Sequence, residues 1–206
     1  MENKIILPKT YLSWSAMNCW ESSPGRFRRE YFEAGKKLDT KYLRFGKGIA
    51  EMIESGKHKE LLPELIVYPV SEHEIRTTVC GVPILSFIDD YDPENNVFRE
   101  KKTGKIPWTM AKVIKHGQLL FYATALKYST GKMPEYCDLD WIQTRDTVDD
   151  EIDDFWRTKE KTVKVTGVIK VFHREFDERE IEKMEERIVK AANEISDAYK
   201  EFLKEI

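Results

Sequence analysis

The sequence predicts an α/β fold in which a central mixed β-sheet is flanked by helices and followed by a long C-terminal helix. Three observations predict it: strand-length apolar runs cluster in the middle of the chain, helical periodicity lies on either side, and the C-terminal segment carries one capped apolar stripe. With 206 residues, 41% of them hydrophobic, the chain can bury one sizeable core, so we expect a single domain over residues 1–206.

Two helices are predicted at the start of the chain, where apolar residues recur at helical spacing. The first covers residues 13–33 and is interrupted near the Ser-Pro-Gly step at 23–25, because proline and glycine disfavour a continuous helix. The second covers residues 42–56 and ends at Gly56, since glycine commonly follows the last turn of a helix.

Short strands are predicted next, where runs rich in β-branched and aromatic residues are separated by turn residues. Gly81, Pro93 and the Asn-Asn pair 95–96 mark these turns. The strands cover residues 64–70, 74–80, 84–90 and 97–102. The last two are close enough along the chain to pair as a hairpin.

The second half of the chain alternates between helix and strand. Residues 109–129 predict a helix that stops at Gly131. Residues 136–145 and 162–174 predict two strands, joined by an acidic connection over 146–161. This order of elements is typical of a mixed α/β domain.

The last helix is the best-marked element of the sequence. Asp177 is a predicted N-cap with Glu180 three residues later, and Phe176 is expected to pack against Ile181. Beyond this cap, apolar residues form one stripe at helical spacing: Ile181, Met184, Ile188, Ile195, Phe202 and Ile206. The stripe predicts a face that packs on the core, with a dimer seam as the alternative.

Acidic and basic side chains end the two strands of the predicted hairpin. Asp89 closes one apolar run, and the next run ends in Glu100 and Lys102. Side chains of a strand alternate between faces, so Glu100 and Lys102 point the same way, and Asp89 can reach that face across the hairpin. Two converging carboxylates are costly unless a cation neutralises them, so this pattern suggests a metal site. The alternative is a surface salt bridge on an ordinary hairpin.

Carboxylate oxygens select hard cations, so the predicted ion is Mg²⁺ or Mn²⁺ rather than zinc. Such an ion polarises a phosphoryl oxygen and lowers the pKa of a bound water. A neighbouring lysine can orient that water or stabilise charge on the phosphate. The group of residues therefore fits metal-assisted hydrolysis of a phosphodiester.

Gln118 and Tyr122 lie four residues apart on the predicted helix 109–129, so they share one helical face and could both lean over the site. The alternative is an ordinary pair on an amphipathic helix, because Tyr122 also belongs to an apolar stripe with Leu119, Ala123 and Leu126.

These motifs, in this order, resemble those of the PD-(D/E)XK nuclease superfamily: Asp89, Glu100-x-Lys102-Thr-Gly and Gln118-x-x-x-Tyr122. The segments 12–16 and 23–27, followed by Tyr31, are similar to its RecB-like branch. That branch contains phage and bacterial recombination exonucleases and CRISPR-associated nucleases.

The resemblance implies a restriction-endonuclease-like fold and a metal-dependent DNA nuclease, with an exonuclease in recombination or DNA processing as the leading reading. By it, Asp89 and Glu100 are metal ligands, joined by the backbone carbonyl of Lys101, and Lys102 is the catalytic lysine. Gln118 and Tyr122 would support the metal geometry or hold a strand near the scissile phosphate. The implied cofactor is Mg²⁺ or Mn²⁺, and the implied partners are DNA and a recombination protein.

The sequence departs from the family branch on the helix 42–56, where relatives often carry a metal-binding histidine. Ala50 stands at that position and cannot bind a metal. Glu51 is adjacent to Ala50, and Glu54 lies one turn from Ala50 on the same face as Ala50, so either could supply a third carboxylate. We expect Glu51 to do so; the alternative is that both glutamates are solvated.

Some relatives also carry an iron–sulfur cluster held by four cysteines. This chain has three cysteines, Cys19, Cys80 and Cys137, and they are far apart in the sequence. A four-cysteine cluster within one chain is therefore excluded, and we expect no iron–sulfur cluster. Scattered cysteines also indicate a reducing compartment without a disulfide framework.

Charge is unevenly distributed although the net charge is only −3. Residues 26–47 and 99–115 each carry a balance of +5, and both blocks flank the predicted site motifs. A basic groove on an acidic body suits a phosphate backbone, although such blocks are also common on solvated faces. The predicted DNA contacts are Arg26, Arg28, Lys47 and Lys105, with Trp108 to stack on a base. A half-buried aromatic residue at the start of a helix is the alternative for Trp108.

Two other functions stay open at this point. The loss of the histidine favours a non-catalytic nucleic-acid-binding or assembly subunit that kept the nuclease fold. An RNA-directed or structure-specific endonuclease is the third functional hypothesis. No apolar run approaches the ~18 residues that a membrane span needs, and no signal peptide opens the chain, so we expect no membrane partner and a cytoplasmic location, or the host cytoplasm if the chain is viral.

Overall fold

The computed structural model describes residues 5–35, 40–148 and 161–206, and within them one mixed five-stranded sheet forms the centre of the fold. Its strands lie side by side in chain order: β1 (Val70–Val79), β2 (Val82–Asp92), β3 (Val97–Gly104), β4 (Tyr136–Val148) and β5 (Lys161–Glu175). Only β3 and β4 run parallel, and the other neighbours are antiparallel. The predicted α/β fold with a mixed sheet and flanking helices is confirmed.

The helices flank the sheet and follow the caps in the sequence: α1 (Trp14–Ser22), α2 (Pro24–Phe27), α3 (Lys41–Glu54), α4 (His58–Leu61), α5 (Met110–Ile114), α6 (Gly117–Thr130) and α7 (Glu178–Glu205). A π-helical turn, Arg28–Phe32, follows α2. The predicted interruption near 23–25 is confirmed, because Ser23 ends α1 and caps α2, whose first residue is a proline. No helix in the described ranges is long and apolar enough to cross a membrane.

The strand predicted over 64–70 is wrong, and β1 is instead one continuous strand from Val70 to Val79. Pro69 lacks the backbone N–H that a sheet ladder requires, which accounts for a strand that begins only after it. The apolar residues before it form no strand, and Leu65 is buried whereas Ile66 is exposed. Leu65 packs in a small cluster with Ile53 of α3.

The single helix predicted over 109–129 is also wrong in its continuity, because α5 and α6 are separated at Lys115 and His116. The chain packs closely here. A Cβ atom on Gly117 would lie 2.3 Å from the Trp14 ring, so only glycine fits at the start of α6. The predicted stop at Gly131 is confirmed, since this residue adopts φ +76° after the last turn.

The long helix α7 forms as predicted. Asp177 accepts from the backbone N–H of Glu180, whose carboxylate reaches back to the N–H of Asp177, so the capping box is complete. The stripe is buried from Ile181 to Ile195. Its end is not, because Ile206 lies beyond the helix and is exposed.

The ladder between β2 and β3 is short, and this positions the candidate site. It covers only the pairs from Asp90–Arg99 to Asp92–Val97. Beyond Asp90, towards Asp89, β2 continues its pairing with β1, whereas β3 continues its pairing with β4. The sheet therefore opens into a fork with Asp89 on one arm and Glu100 on the other.

Candidate active site

Asp89 links the two arms of the fork. Its Oδ2 atom accepts a hydrogen bond of 2.6 Å from the backbone N–H of Lys101 on β3. An N–H that has lost its partner in the opened ladder is thereby satisfied by a carboxylate. The Asp89 side chain is therefore held between β2 and β3.

Glu100 and Lys102 point to the same side of β3, which we call the front face. The Lys102 Nζ atom forms an ion pair with Glu100 Oε1 and donates to Gln118 Oε1 at 2.8 Å. The Gln118 Nε2 atom in turn donates to the Tyr122 hydroxyl at 2.7 Å. Because α6 lies over this face, the structure brings together four of the predicted site residues in one hydrogen-bonded chain.

Electrostatics on the front face are set by burial. The Glu100 side chain is 2% exposed, and its Oε2 atom has no hydrogen-bond partner. Burial, followed by the nearby Asp89 charge, raises the pKa of Glu100 to about 7, against the opposing effect of Lys102. Burial also raises the pKa of Asp89, with Lys102 again opposing. Burial alone would lower the pKa of Lys102, but the Glu100 and Asp89 charges outweigh it and hold that pKa above its ordinary value.

The opposite side of β3, which we call the back face, carries Arg99 and Lys101. The Lys101 ammonium forms an ion pair with the fully buried Asp90. The Arg99 guanidinium donates to Asp138 at 2.7 Å and to Asp140 at 2.6 Å, both on β4. These ion pairs tie β3 to both of its neighbours. The backbone carbonyl of Lys101 stays a predicted metal ligand.

A cavity of about 160 Å³ lies between α3 and the open fork, and we call it the fork cavity. Its lining includes Ala50 and Glu54 of α3, Glu72 of β1, and Asp89. It has room for several water molecules, each of which needs roughly 10–15 Å³ of such space.

Glu51, the expected third carboxylate, is not among the residues that line this cavity. Its side chain is 65% exposed and lies 3.8 Å from Lys47 one turn earlier on α3. The phase of α3 is the reason, because it turns Ala50 and Glu54 towards the sheet and Glu51 towards solvent. The structure therefore does not bring Glu51 to Asp89, and the alternative residue Glu54 reaches the cavity instead.

Glu72 also lines the fork cavity, and the sequence reasoning missed it. Ser71 pairs with Asp90 and His73 with Ile88, so Glu72 lies beside Asp89 at a step of the β1–β2 ladder where the two residues are not themselves paired. Burial, and then the charges of Asp89 and Glu54, raise the pKa of Glu72. It was missed because it fell between the predicted strands 64–70 and 74–80. A single strand through this segment would have placed it beside Asp89.

The donor set fits a hard divalent cation. Carboxylate oxygens of Asp89 and Glu100 meet at the fork, and the unpartnered Glu100 Oε2 atom is buried in a position that costs free energy until something satisfies it. Within the described ranges, no three His, Cys, Asp or Glu side chains are grouped closely enough to hold a metal as they stand. Binding would therefore require a side chain to rotate towards the fork.

The predicted DNA contacts at the start of the chain are engaged in ion pairs away from these groups. Arg26 lies 3.2 Å from the Cys19 thiol and 3.6 Å from Glu30. Arg28 pairs with Glu33 and with Glu205 at the end of α7. Neither arginine lines the fork cavity.

Lys105 and Trp108 line a second groove, just past the end of β3. The Lys105 ammonium pairs with Asp146 and lies 3.3 Å from the Tyr42 hydroxyl. The Trp108 ring is half-buried, with the Lys112 ammonium 4.0 Å from its centroid and the His116 ring 4.9 Å away. Its contact with DNA stays a prediction.

Comparison with solved structures gives the fold a wider context. A phage-related exonuclease from Haemophilus somnus superposes with a TM-score of 0.56 at 17% identity, covering 96% of this chain and 86% of that one. This chain has an exonuclease-like fold. A candidate exonuclease from Eubacterium rectale matches with a TM-score of 0.54 at 13% identity, over 91% and 83% of the two chains.

The exonuclease-like fold also includes an alkaline exonuclease from Laribacter hongkongensis, with a TM-score of 0.50 at 16% identity, over 95% of this chain and 92% of that one. At these identities the likeness establishes the fold alone. No protein-family model and no curated protein sequence matches the chain.

Proposed function

We propose that this protein is a Mg²⁺- or Mn²⁺-dependent DNA nuclease of the PD-(D/E)XK type, and that it acts as an exonuclease in recombination or DNA processing. The observation that carries the proposal is the front face of β3. There, a buried Glu100 with one unpartnered oxygen lies beside Lys102, and Asp89 lies across the fork. A site without a ligand would have little reason to hold two acids under one lysine.

Each residue has a distinct role in this proposal. Asp89 and Glu100 would hold the ion, together with the backbone carbonyl of Lys101. The ion would polarise a phosphoryl oxygen and lower the pKa of a bound water. Lys102 orients the attacking water or stabilises charge on the phosphate. Gln118 positions the Lys102 ammonium through the 2.8 Å hydrogen bond, and Tyr122 positions Gln118.

The choice of DNA and of an exonuclease rests on the fold shared with the phage-related and alkaline exonucleases. The motifs of the RecB-like branch point the same way. A recombination protein as a partner belongs to the same proposal, because enzymes of that branch process DNA ends for recombination.

The test is digestion of end-labelled linear DNA and of closed circular DNA with Mg²⁺, Mn²⁺ or EDTA. An exonuclease degrades the linear molecule, spares the circle and stops in EDTA. Cleavage of the closed circular DNA would show that the protein is an endonuclease and not an exonuclease. A parallel set with end-labelled RNA tests the sugar preference.

A non-catalytic DNA-binding subunit is the second candidate, and one observation favours it. Ala50, which stands where many relatives have a metal-binding histidine, lines the fork cavity. A subunit of this kind would bind DNA in a gel-shift assay without cleaving it, and Asp89→Ala would leave that binding unchanged.

A further inference from the structure

We propose that Glu72 is the third carboxylate of the metal site, supplied by the sheet in place of the missing histidine of α3. This inference rests on the proposed function. It assigns to β1 a role that the sequence motifs give to a helix.

The position of Glu72 is the first argument. Its neighbours Ser71 and His73 pair with Asp90 and Ile88, so Glu72 lies at the step of the β1–β2 ladder beside Asp89, although these two residues are not themselves paired. Both residues line the fork cavity, and the Asp89 charge contributes to the raised pKa of Glu72. Two carboxylates on the wall of one cavity call for a cation between them.

The buried oxygen of Glu100 is a second and independent argument. Oε2 of this side chain is without a hydrogen-bond partner, although the side chain is 2% exposed. The Asp89 charge contributes to the raised pKa of both Glu100 and Glu72. Asp89 lines the fork cavity together with Glu72, while Glu100, which is not among the residues that line this cavity, has an open coordination position.

The backbone of Glu72 also distinguishes this residue. Its φ angle is +48°, in the left-handed region that glycine and asparagine adopt far more readily than glutamate. A glutamate that occupies such a conformation beside Asp89 costs stability, and strained residues of this kind gather at functional sites. Thr10, Ala34, Cys80 and Asn96 of the described residues also have a positive φ angle, but of these five only Glu72 lines the fork cavity.

The other two glutamates are less well placed. Glu51 faces Lys47 and does not line the fork cavity. Glu54 lines the cavity, but it reaches it from the last turn of α3. Glu72 is the one of the three that lines the cavity from β1, the strand paired with the strand that carries Asp89.

The test is calorimetric titration of Mn²⁺ into the full-length, DNA-free protein. Glu72→Gln removes the charge and keeps the shape, and we expect it to weaken Mn²⁺ binding at least about tenfold. Glu74→Gln is the matched control, because Glu74 lies on the same strand, is exposed and pairs with Arg76. It should bind Mn²⁺ like the wild type.

Glu72→Gly separates a metal role from a structural one. Glycine relieves the positive φ angle and the repulsion from Asp89, so the metal-free variant should melt at the same or a higher temperature than the wild type. Mn²⁺ should then raise its melting temperature less than it raises that of the wild type. A metal-free melting temperature well below wild type would show that Glu72 serves the fold, and would overturn the inference.

Asp89→Asn distinguishes failure of this inference from failure of the proposed function. If Asp89→Asn abolishes Mn²⁺ binding and Glu72→Gln does not weaken it, Glu72 is no ligand and the nuclease proposal stands. If Glu54→Gln weakens binding and Glu72→Gln does not, the helix supplies the third carboxylate and the inference is overturned. If the wild type binds no Mn²⁺ at millimolar concentration, both proposals fall.

Discussion

The front and back faces of β3 both carry basic side chains, but these side chains differ in exposure and in the acids they pair with. On the front face, the Lys102 side chain is 26% exposed, forms an ion pair with Glu100 and feels the charge of Asp89. On the back face, Lys101 is 9% exposed and Arg99 4% exposed, and both are enclosed by acids of β2 and β4. The difference teaches that adjacent lysines can have separate tasks: Lys102 can meet a substrate, and Lys101 holds the strand in place.

The largest effect on DNA cleavage is expected when the acids of the site, Asp89 and Glu100, are replaced. Asp89→Asn and Glu100→Gln should each lower DNA cleavage by roughly a thousandfold or more, about 4 kcal/mol, because each removes a metal-binding charge. Cleavage of end-labelled DNA with Mg²⁺ measures this. Thermal melts of the metal-free variants are the control, and they should stay near the wild-type value. Wild-type cleavage by either variant would remove the metal site from the front face.

Lys101→Met should have the largest effect on stability. It leaves Asp90 buried without its partner, which typically costs about 3–5 kcal/mol in the free energy of unfolding. Urea denaturation measures the loss, and the double variant Lys101→Met with Asp90→Asn should recover part of it. An unchanged unfolding midpoint in the single variant would mean that the back-face pair does not hold the strand.

Lys102→Met tests the lysine of the front face in the same way. We expect the rate of DNA cleavage to fall by about two orders of magnitude, roughly 3 kcal/mol, because the ammonium that orients water or stabilises charge on the phosphate is lost. Its unfolding free energy should fall less than that of Lys101→Met. The reason is that Glu100, with a pKa of about 7, can take up a proton near neutral pH when its partner is gone. Equal small losses of activity in both lysine variants, per folded molecule, would contradict the assignment of the faces.

The smallest effect on cleavage is expected at Tyr122, the last member of the hydrogen-bonded chain on the front face. Tyr122→Phe removes the acceptor of the Gln118 amide, a hydrogen bond worth about 1 kcal/mol, so cleavage should fall by roughly fivefold. Gln118→Ala, which frees the Lys102 ammonium directly, should cost more. Steady-state kinetics on one DNA substrate compare the two. A loss above about a hundredfold in Tyr122→Phe would indicate that the hydroxyl contacts the DNA itself.

The alternation of side chains along β3 and the four-residue spacing of Gln118 and Tyr122 were sufficient to predict which residues meet on the front face. Both are local rules, since a strand reverses its side chains at every residue and a helix repeats after about four. The long helix α7 was predictable for the same reason, because its capping box and stripe lie within one segment.

Properties that depend on distant segments could not be predicted. The rotation of α3, which turns Glu51 to solvent and Glu54 to the cavity, is set by packing on the sheet. The position of Glu72 beside Asp89 depends on where β1 begins, and strand ends are poorly marked in sequence. The break between α5 and α6 depends on Trp14, a ring that is distant in sequence and close in space.

The close approach of Trp14 to Gly117 has a consequence for how this sequence can diverge. Gln118, which carries the hydrogen bond to Lys102, directly follows Gly117. Any larger residue at 117 would push α6 away from the ring and carry Gln118 with it. The indole is also held from outside, because Arg187 lies over it and pairs with Glu21. Evolutionary change at this glycine is therefore restricted by an aromatic residue 103 positions earlier in the chain, and the two positions can change only together.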